Sequence, residues 1–161
     1  KPRLTLYNSL VAAHFNYADT VWGGCSAKNK NKLQRTQNYV IKSMLGMTIR
    51  DSTKEALKKA NLLSLEDKRQ VHDAVYVHKA LSGKLPNKIC LQYKEHQSLR
   101  KSRSAENQIL TIPKHTTENY KRSPFYRSIA AWNNTPTEIK KLETSTFKQK
   151  LQAHIQKQMK L

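Results

Sequence analysis

The chain has 161 residues, enough for one domain or a small domain with an appendage, and only 34 of them are Leu, Ile, Val or Phe, so its cores must be small. Lys and Arg number 30 against 11 Asp and Glu, a net charge of +19, and that surplus suits a polyanion: nucleic acid ahead of lipid, because the cations are spread over several elements. No apolar run reaches the ~18–20 residues of a bilayer span, no signal peptide opens the chain, and Cys25 and Cys90 lie outside any C-x-x-C, which points to an intracellular protein of the nucleus or cytoplasm without membrane, disulfide framework or zinc knuckle.

Leu4, Tyr7, Leu10, Val11, His14 and Ala18 recur at three and four residues, which predicts a helix from about Arg3 to Tyr17 with these side chains on its core face. Gly23-Gly24 breaks the pattern. Ser26 caps a second helix whose seam is Leu33, Val40, Ile41, Met44 and Leu45, closed by Gly46, and that seam needs partners in the Leu4–Val11 and Val71–Leu81 stripes. Ser52-x-x-Glu55 is a capping box opening a short helix through Ala60. Ser64-Leu-Glu-Asp67 opens a longer one, with Leu65, Val71, Ala74, Val75, His78 and Leu81 inward and Gly83 and Pro86 as the stop. Short connections make residues 1–93 a small helical bundle.

From residue 94 to 122 the periodicity fades into a basic loop or linker with at most a short β element at Ile109–Ile112. Residues 123–161 form a smaller helical lobe anchored by Phe125, Tyr126, Ile129 and Trp132. Thr135-Pro136-x-Glu138 marks a helix start, and Phe147, Leu151, Ile155 and Met159 line a final helix. The fold class is mainly α.

Catalysis is not signalled. A polymerase palm needs clustered carboxylates holding two metal ions about 4 Å apart, whereas Asp19, Asp51, Asp67 and Asp73 stand singly. The six histidines form no H-E-x-x-H and there is no glycine-rich phosphate loop, so no metal or other cofactor and no small-molecule substrate is expected. Cations interleaved with aromatics do stand out. The candidate nucleic-acid contacts are Lys28, Lys30, Lys32 and Arg35 near a helix N-terminus, Arg100, Lys101 and Arg103 in the loop, and Lys121, Arg122 and Arg127 around Tyr126.

Leu6-Tyr-Asn-Ser-Leu-Val11, His14-Phe-Asn-Tyr17 and Val21-Trp-Gly23 resemble the segment directly after the palm in Jockey-like and chicken-repeat-like non-LTR (LINE-type) retrotransposon reverse transcriptases. Leu33-Gln-Arg35 with Gln37-Asn38, Leu63-Ser-Leu-Glu-Asp-Lys-Arg69, Lys79-Ala-Leu-Ser-Gly83 and Leu85-Pro-Asn87 are similar to the blocks that follow there. Arg103-Ser-Ala105, Tyr126-Arg127, Trp132-Asn133 and Pro136-x-Glu-Ile139 resemble the C-terminal block. Ala12-Ala13, Ala18, Tyr39-Val-Ile-Lys42 and Thr135 depart from the pattern.

The resemblance implies a thumb and post-thumb region that binds template RNA and primer DNA during target-primed reverse transcription and adjoins an upstream palm of the same polyprotein. That palm would own the Mg2+ ions and the catalysis, so this chain would be no enzyme by itself. The rival expectation is a structural or protein-interaction fragment of a retroelement polyprotein, decayed or host-recruited, without independent activity.

Overall fold

A computed structural model describes residues 2–94, Gln97 and residues 107–158, and over these the protein is mainly helical. In chain order the helices are α1 (Pro2–Leu6), a π-helical turn (Tyr7–Ala12), α2 (Ala13–Asn16), α3 (Asp19–Trp22), α4 (Ala27–Leu45), α5 (Thr53–Ala60), α6 (Leu65–Leu81), α7 (Asn87–Lys94), α8 (Glu118–Lys121), α9 (Pro124–Asn133), α10 (Thr137–Lys140) and α11 (Thr144–Gln158). In place of a strand at Ile109–Ile112 there is a single antiparallel bridge between Gln97 and Leu110. None of the described helices is long and apolar enough to cross a membrane.

The chain forms two compact units, one running to Arg69 and the other starting at Gln70, so the division falls within α6, whereas the periodicity places a boundary at 94–122.

In the first unit the opening helix departs from its expected face. The π turn adds a residue between stacked positions, so Tyr7 pairs in register with Ala12 and both are buried, while Leu10 is 63% exposed and His14 and Ala18 also face solvent. The segment ends where Ala18 takes a left-handed φ of 49°. Helix α4 is opened by Ser26, whose hydroxyl accepts from Asn29 N, and closed by Gly46 at φ 69°, where its N–H bonds back to Lys42 and Ser43 carbonyls. Of its expected seam Ile41 is fully buried, and Leu33, Val40, Met44 and Leu45 are half-buried.

The most buried neighbour of Ile41 on that helix is a glutamine. Gln37 Nε2 donates to the Tyr7 hydroxyl and to the Leu63 carbonyl, both at 3.1 Å. Gln34 Nε2 donates to Gln37 Oε1 and Asn38 Oδ1, and Gln34 Oε1 accepts the Leu65 N–H at 2.9 Å, a free donor of the first turn of α6. Burial pushes the Tyr7 phenol up from its ordinary pKa, and the Gln37 bond opposes it. Ser52 and Ser64 cap as expected, accepting from Glu55 N and Asp67 N.

The second unit is built on rings. Trp132 and Phe147 are fully buried with ring centroids 5.9 Å apart, and the His78 ring lies 4.5 Å from Phe147. Tyr93, also buried, meets Phe125 at 4.8 Å and shares a 2.6 Å hydrogen bond with Ser128, and burial pushes its phenol up to about 12. Trp132 Nε1 donates to the Gln108 carbonyl, and Asn133 clamps Leu110 by accepting its N–H and donating to its C=O, each at 2.9 Å. Inward from α6 come Val71, Ala74, Val77, His78 and Ala80, while Val75 and Leu81 are half-buried.

Ser123 and Pro124 start α9 as a cap and first-turn proline. Thr135 does not start α10. Its hydroxyl donates to the Ala131 carbonyl, closing α9, and Pro136 holds the N-cap position of α10 without a side-chain cap. In α11 Phe147 and Leu151 are buried and Ile155 half-buried; Met159 lies outside the described residues.

Candidate nucleic-acid interface

An α-helix turns 100° per residue, so positions alternately four and three apart share a face. On α4 the inward series is Lys30, Gln34, Gln37, Ile41, Met44, and the outward series is Lys28, Lys32, Arg35, Tyr39, Lys42. The two faces follow from the polar and apolar anchoring of Gln37 and Ile41. Lys28, Lys32 and Arg35 are therefore exposed, Tyr39 beside them is 63% exposed, and Lys42 is half-buried with Nζ donating to the Ile49 carbonyl at 2.9 Å. From 28 to 42 the stripe is about 21 Å long at ~1.5 Å per residue. The three exposed cations and the one aromatic ring in this line can neutralise successive phosphates and offer one stacking surface, while Lys42 at its far end is already taken up by the Ile49 carbonyl.

Lys30 belongs to the other face. It is half-buried and its Nζ stands 3.8 Å from Glu66, so of the four expected α4 contacts it is the one turned from the stripe. Tyr39 joins the stripe without having been signalled by charge clustering, although the four-three spacing from Arg35 points to it.

Among the later candidates, Arg127 is committed to the fold. Its Nε and Nη2 bond to both carboxylate oxygens of the buried Asp73 at 3.1–3.3 Å, and Nη1 donates to the Arg122 carbonyl. The two partners are 54 residues apart in the chain, a separation that a local reading does not span. Lys121 bonds to Glu118 one turn earlier on α8, which holds the lysine pKa above its ordinary value and the carboxylate's below. Arg122 is exposed at the turn after α8, and its carbonyl is the group that Arg127 reaches. Tyr126 is half-buried, with the His115 ring edge-on at 5.1 Å and Tyr120 at 6.3 Å. Arg100, Lys101 and Arg103 lie outside the described residues.

Two cations sit on tryptophan. Buried Arg69 lies 5.0 Å from the Trp22 ring, and Lys140, whose pKa burial lowers, lies 5.3 Å from the Trp132 ring and donates to the Asn107 carbonyl. Neither offers its charge to a ligand. Among the described residues no group of three or more His, Cys, Asp or Glu side chains converges as a metal site would need. Comparison with protein-family models, with curated proteins and with solved structures gives no match to this chain.

Proposed function

We propose that this chain is the nucleic-acid-holding, post-catalytic part of a non-LTR retrotransposon RNA-directed DNA polymerase, gripping template RNA and primer DNA mainly through their phosphates. The observation that carries this reading is the exposed Lys28, Lys32, Arg35, Tyr39 stripe of α4 on a chain of net charge +19. The blocks that carry the family resemblance also support it. Tyr7, Gln34, Gln37, Leu63 and Leu65, drawn from three separate blocks, meet in one hydrogen-bonded network, as expected if those blocks encode one scaffold. On this reading catalysis and its Mg2+ belong to a palm outside these residues, and primer extension by this chain alone would overturn the assignment.

The test is affinity for a fixed duplex across a salt series. For phosphate-driven binding log K falls linearly with log salt. Changing Lys28, Lys32 and Arg35 together to Ala is expected to reduce the slope by about 0.9 for each duplex phosphate no longer neutralised, and to weaken all sequences alike. An unchanged slope would remove the stripe from the interface. The rival interaction-module reading is favoured by one observation, the exposure of Leu6, Leu10, Tyr17 and Val21 in the first unit. It predicts salt-insensitive apolar association instead.

A further inference from the structure

The second unit has a cleft that the α4 stripe does not use. It is open, measures about 580 Å³, and is lined by Lys114, His115, Thr116, Thr117 and Tyr120. That is within the roughly 300–1,000 Å³ of clefts that hold a small organic group. Two of its lining residues are rings, and both rest on Tyr126 behind them: His115 lies edge-on to it at 5.1 Å and Tyr120 at 6.3 Å. Tyr126 is held by the start of α9, where its N–H bonds to Ser123 Oγ, and Tyr120 by the start of α8, where its N–H bonds to Thr117 Oγ1. The backbone that carries these two tyrosines is thus fixed at two helix starts, while Tyr120 keeps 38% of its surface exposed.

The charges around the cleft are sorted as well. Glu118 is taken up by Lys121, and Arg127 by Asp73. Lys114, which is exposed, and Arg122 form no ion pair among the described residues. What remains is Lys114 on the lining, the exposed Arg122 two residues after Tyr120 in the chain, and the Thr116 hydroxyl. A planar, apolar-faced group carrying a phosphate meets each of these features at once.

We propose that this cleft takes an unpaired nucleobase of single-stranded nucleic acid, stacked against Tyr120 and His115, with Lys114 and Arg122 on the flanking phosphates. A duplex cannot enter in this way, because its bases are already stacked on each other and only its backbone faces outward. The inference rests on the nucleic-acid reading and narrows it: α4 serves any strand through its phosphates, and the cleft adds a preference for unpaired bases.

The experiment compares binding of the full chain to a fluorescent single-stranded RNA and to a duplex of equal length. Variants are Tyr120→Leu, Tyr120→Phe, and Lys114→Ala with Arg122→Ala. Tyr120→Leu should weaken single-strand binding roughly 5- to 150-fold, the range of one base-aromatic stack removed, with the salt slope unchanged. Tyr120→Phe should retain the affinity, and duplex binding should not move. The double cation variant should lower the single-strand slope by about 0.7 for each phosphate no longer neutralised. Single-strand affinity unaltered by Tyr120→Leu, or a loss equal on single strand and duplex, overturns the cleft proposal and leaves the α4 reading standing. Failure of the unaltered chain to bind either nucleic acid overturns both. Circular dichroism of each variant separates lost binding from lost fold.

Discussion

The two units carry similar charge and use it differently. Up to Arg69 there are 13 basic and 5 acidic residues, and after it 17 and 6, so the excess is comparable. In the first unit Lys28, Lys32 and Arg35 stand in an exposed line, because the helix beneath them is anchored by glutamine and isoleucine on its other side. In the second, Arg127, Lys121 and Lys140 are taken up by Asp73, Glu118 and the Trp132 ring with the Asn107 carbonyl. The density of Lys and Arg in a sequence therefore measures potential binding charge poorly. What matters is whether a carboxylate, a carbonyl or a ring in the fold has already claimed it. The cores differ in parallel: a buried amide network in the first, stacked rings in the second.

The sharpest way to separate the cores is to remove one ring and one amide. Phe147→Ala deletes a side chain with no solvent exposure, in contact with both His78 and Trp132, and should cost about 3–5 kcal/mol in denaturant unfolding. A loss under ~1 kcal/mol would mean that the ring stack is not the core of its unit. Gln37→Leu keeps most of the volume but leaves the Tyr7 hydroxyl and the Leu63 carbonyl without that donor, and should cost about 1–3 kcal/mol. If the leucine variant were more stable than the parent, the amide network would be a matter of register and not of stability.

Much of this is legible locally, and what is not has identifiable causes. Ser26, Ser52, Ser64 and Ser123 open the helices that their positions announce, and Gly46 closes α4, because caps act over three or four residues and are written in consecutive sequence. The π turn is not legible: nothing in Tyr7–Ala12 distinguishes a five-residue hydrogen-bond step from the usual four, and one added residue turns Leu10 outward. Thr135 could serve either helix beside it, and it serves the earlier one through Ala131. Gln37 reads as surface until two partners 26 and 30 residues away are known. Of the site, charge clustering finds the α4 cations but does not sort them into faces, so it includes Lys30 and omits Tyr39. Arg127 reads as outward because Asp73 is 54 residues distant in sequence.

The ring core carries an acid-side pH response through His78, whereas the shifted group of the amide core, the Tyr7 phenol, responds on the alkaline side. Burial among Phe147, Trp132 and the Leu142 carbonyl pushes the His78 pKa below its ordinary value; the bond to that carbonyl opposes the shift, and Lys84 adds to it. The Nε2 bond to a carbonyl requires Nε2–H, leaving Nδ1 to accept from Thr144 Oγ1 in the neutral ring. The unfolded chain therefore binds the proton first as pH falls. This contribution to stability is complete above the unfolded value of about 6.5 and is lost between there and the lower folded value, with a slope of at most about 1.4 kcal/mol per pH unit for one proton. Urea midpoints at about pH 7.5 and about pH 5, on either side of that value, should show it, and His78→Gln should flatten the difference. An equal acid loss in both proteins would assign it to other groups.

The smallest expected effect tests the sorting of charge on α4 itself. Lys30 and Lys32 are two residues apart, and two residues on a helix are about 200° apart, so one faces Glu66 and the other solvent. The Lys30 pair is 3.8 Å long with side-chain exposures of 29% and 56%, the kind of surface ion pair whose loss costs at most about 1 kcal/mol. Lys30→Ala should therefore lower stability by a few tenths of a kcal/mol and leave the salt slope of nucleic-acid binding as it was. Lys32→Ala should leave stability within about 0.5 kcal/mol and take the share of one phosphate, roughly 0.9, from the duplex slope. The pair of single variants isolates orientation from charge, since each removes one lysine from the same two turns of the same helix. Equal slope losses for the two would mean that nucleic acid responds to the total charge of α4 and not to the face it presents, and the distinction between free and claimed cations would then have to be given up for this unit.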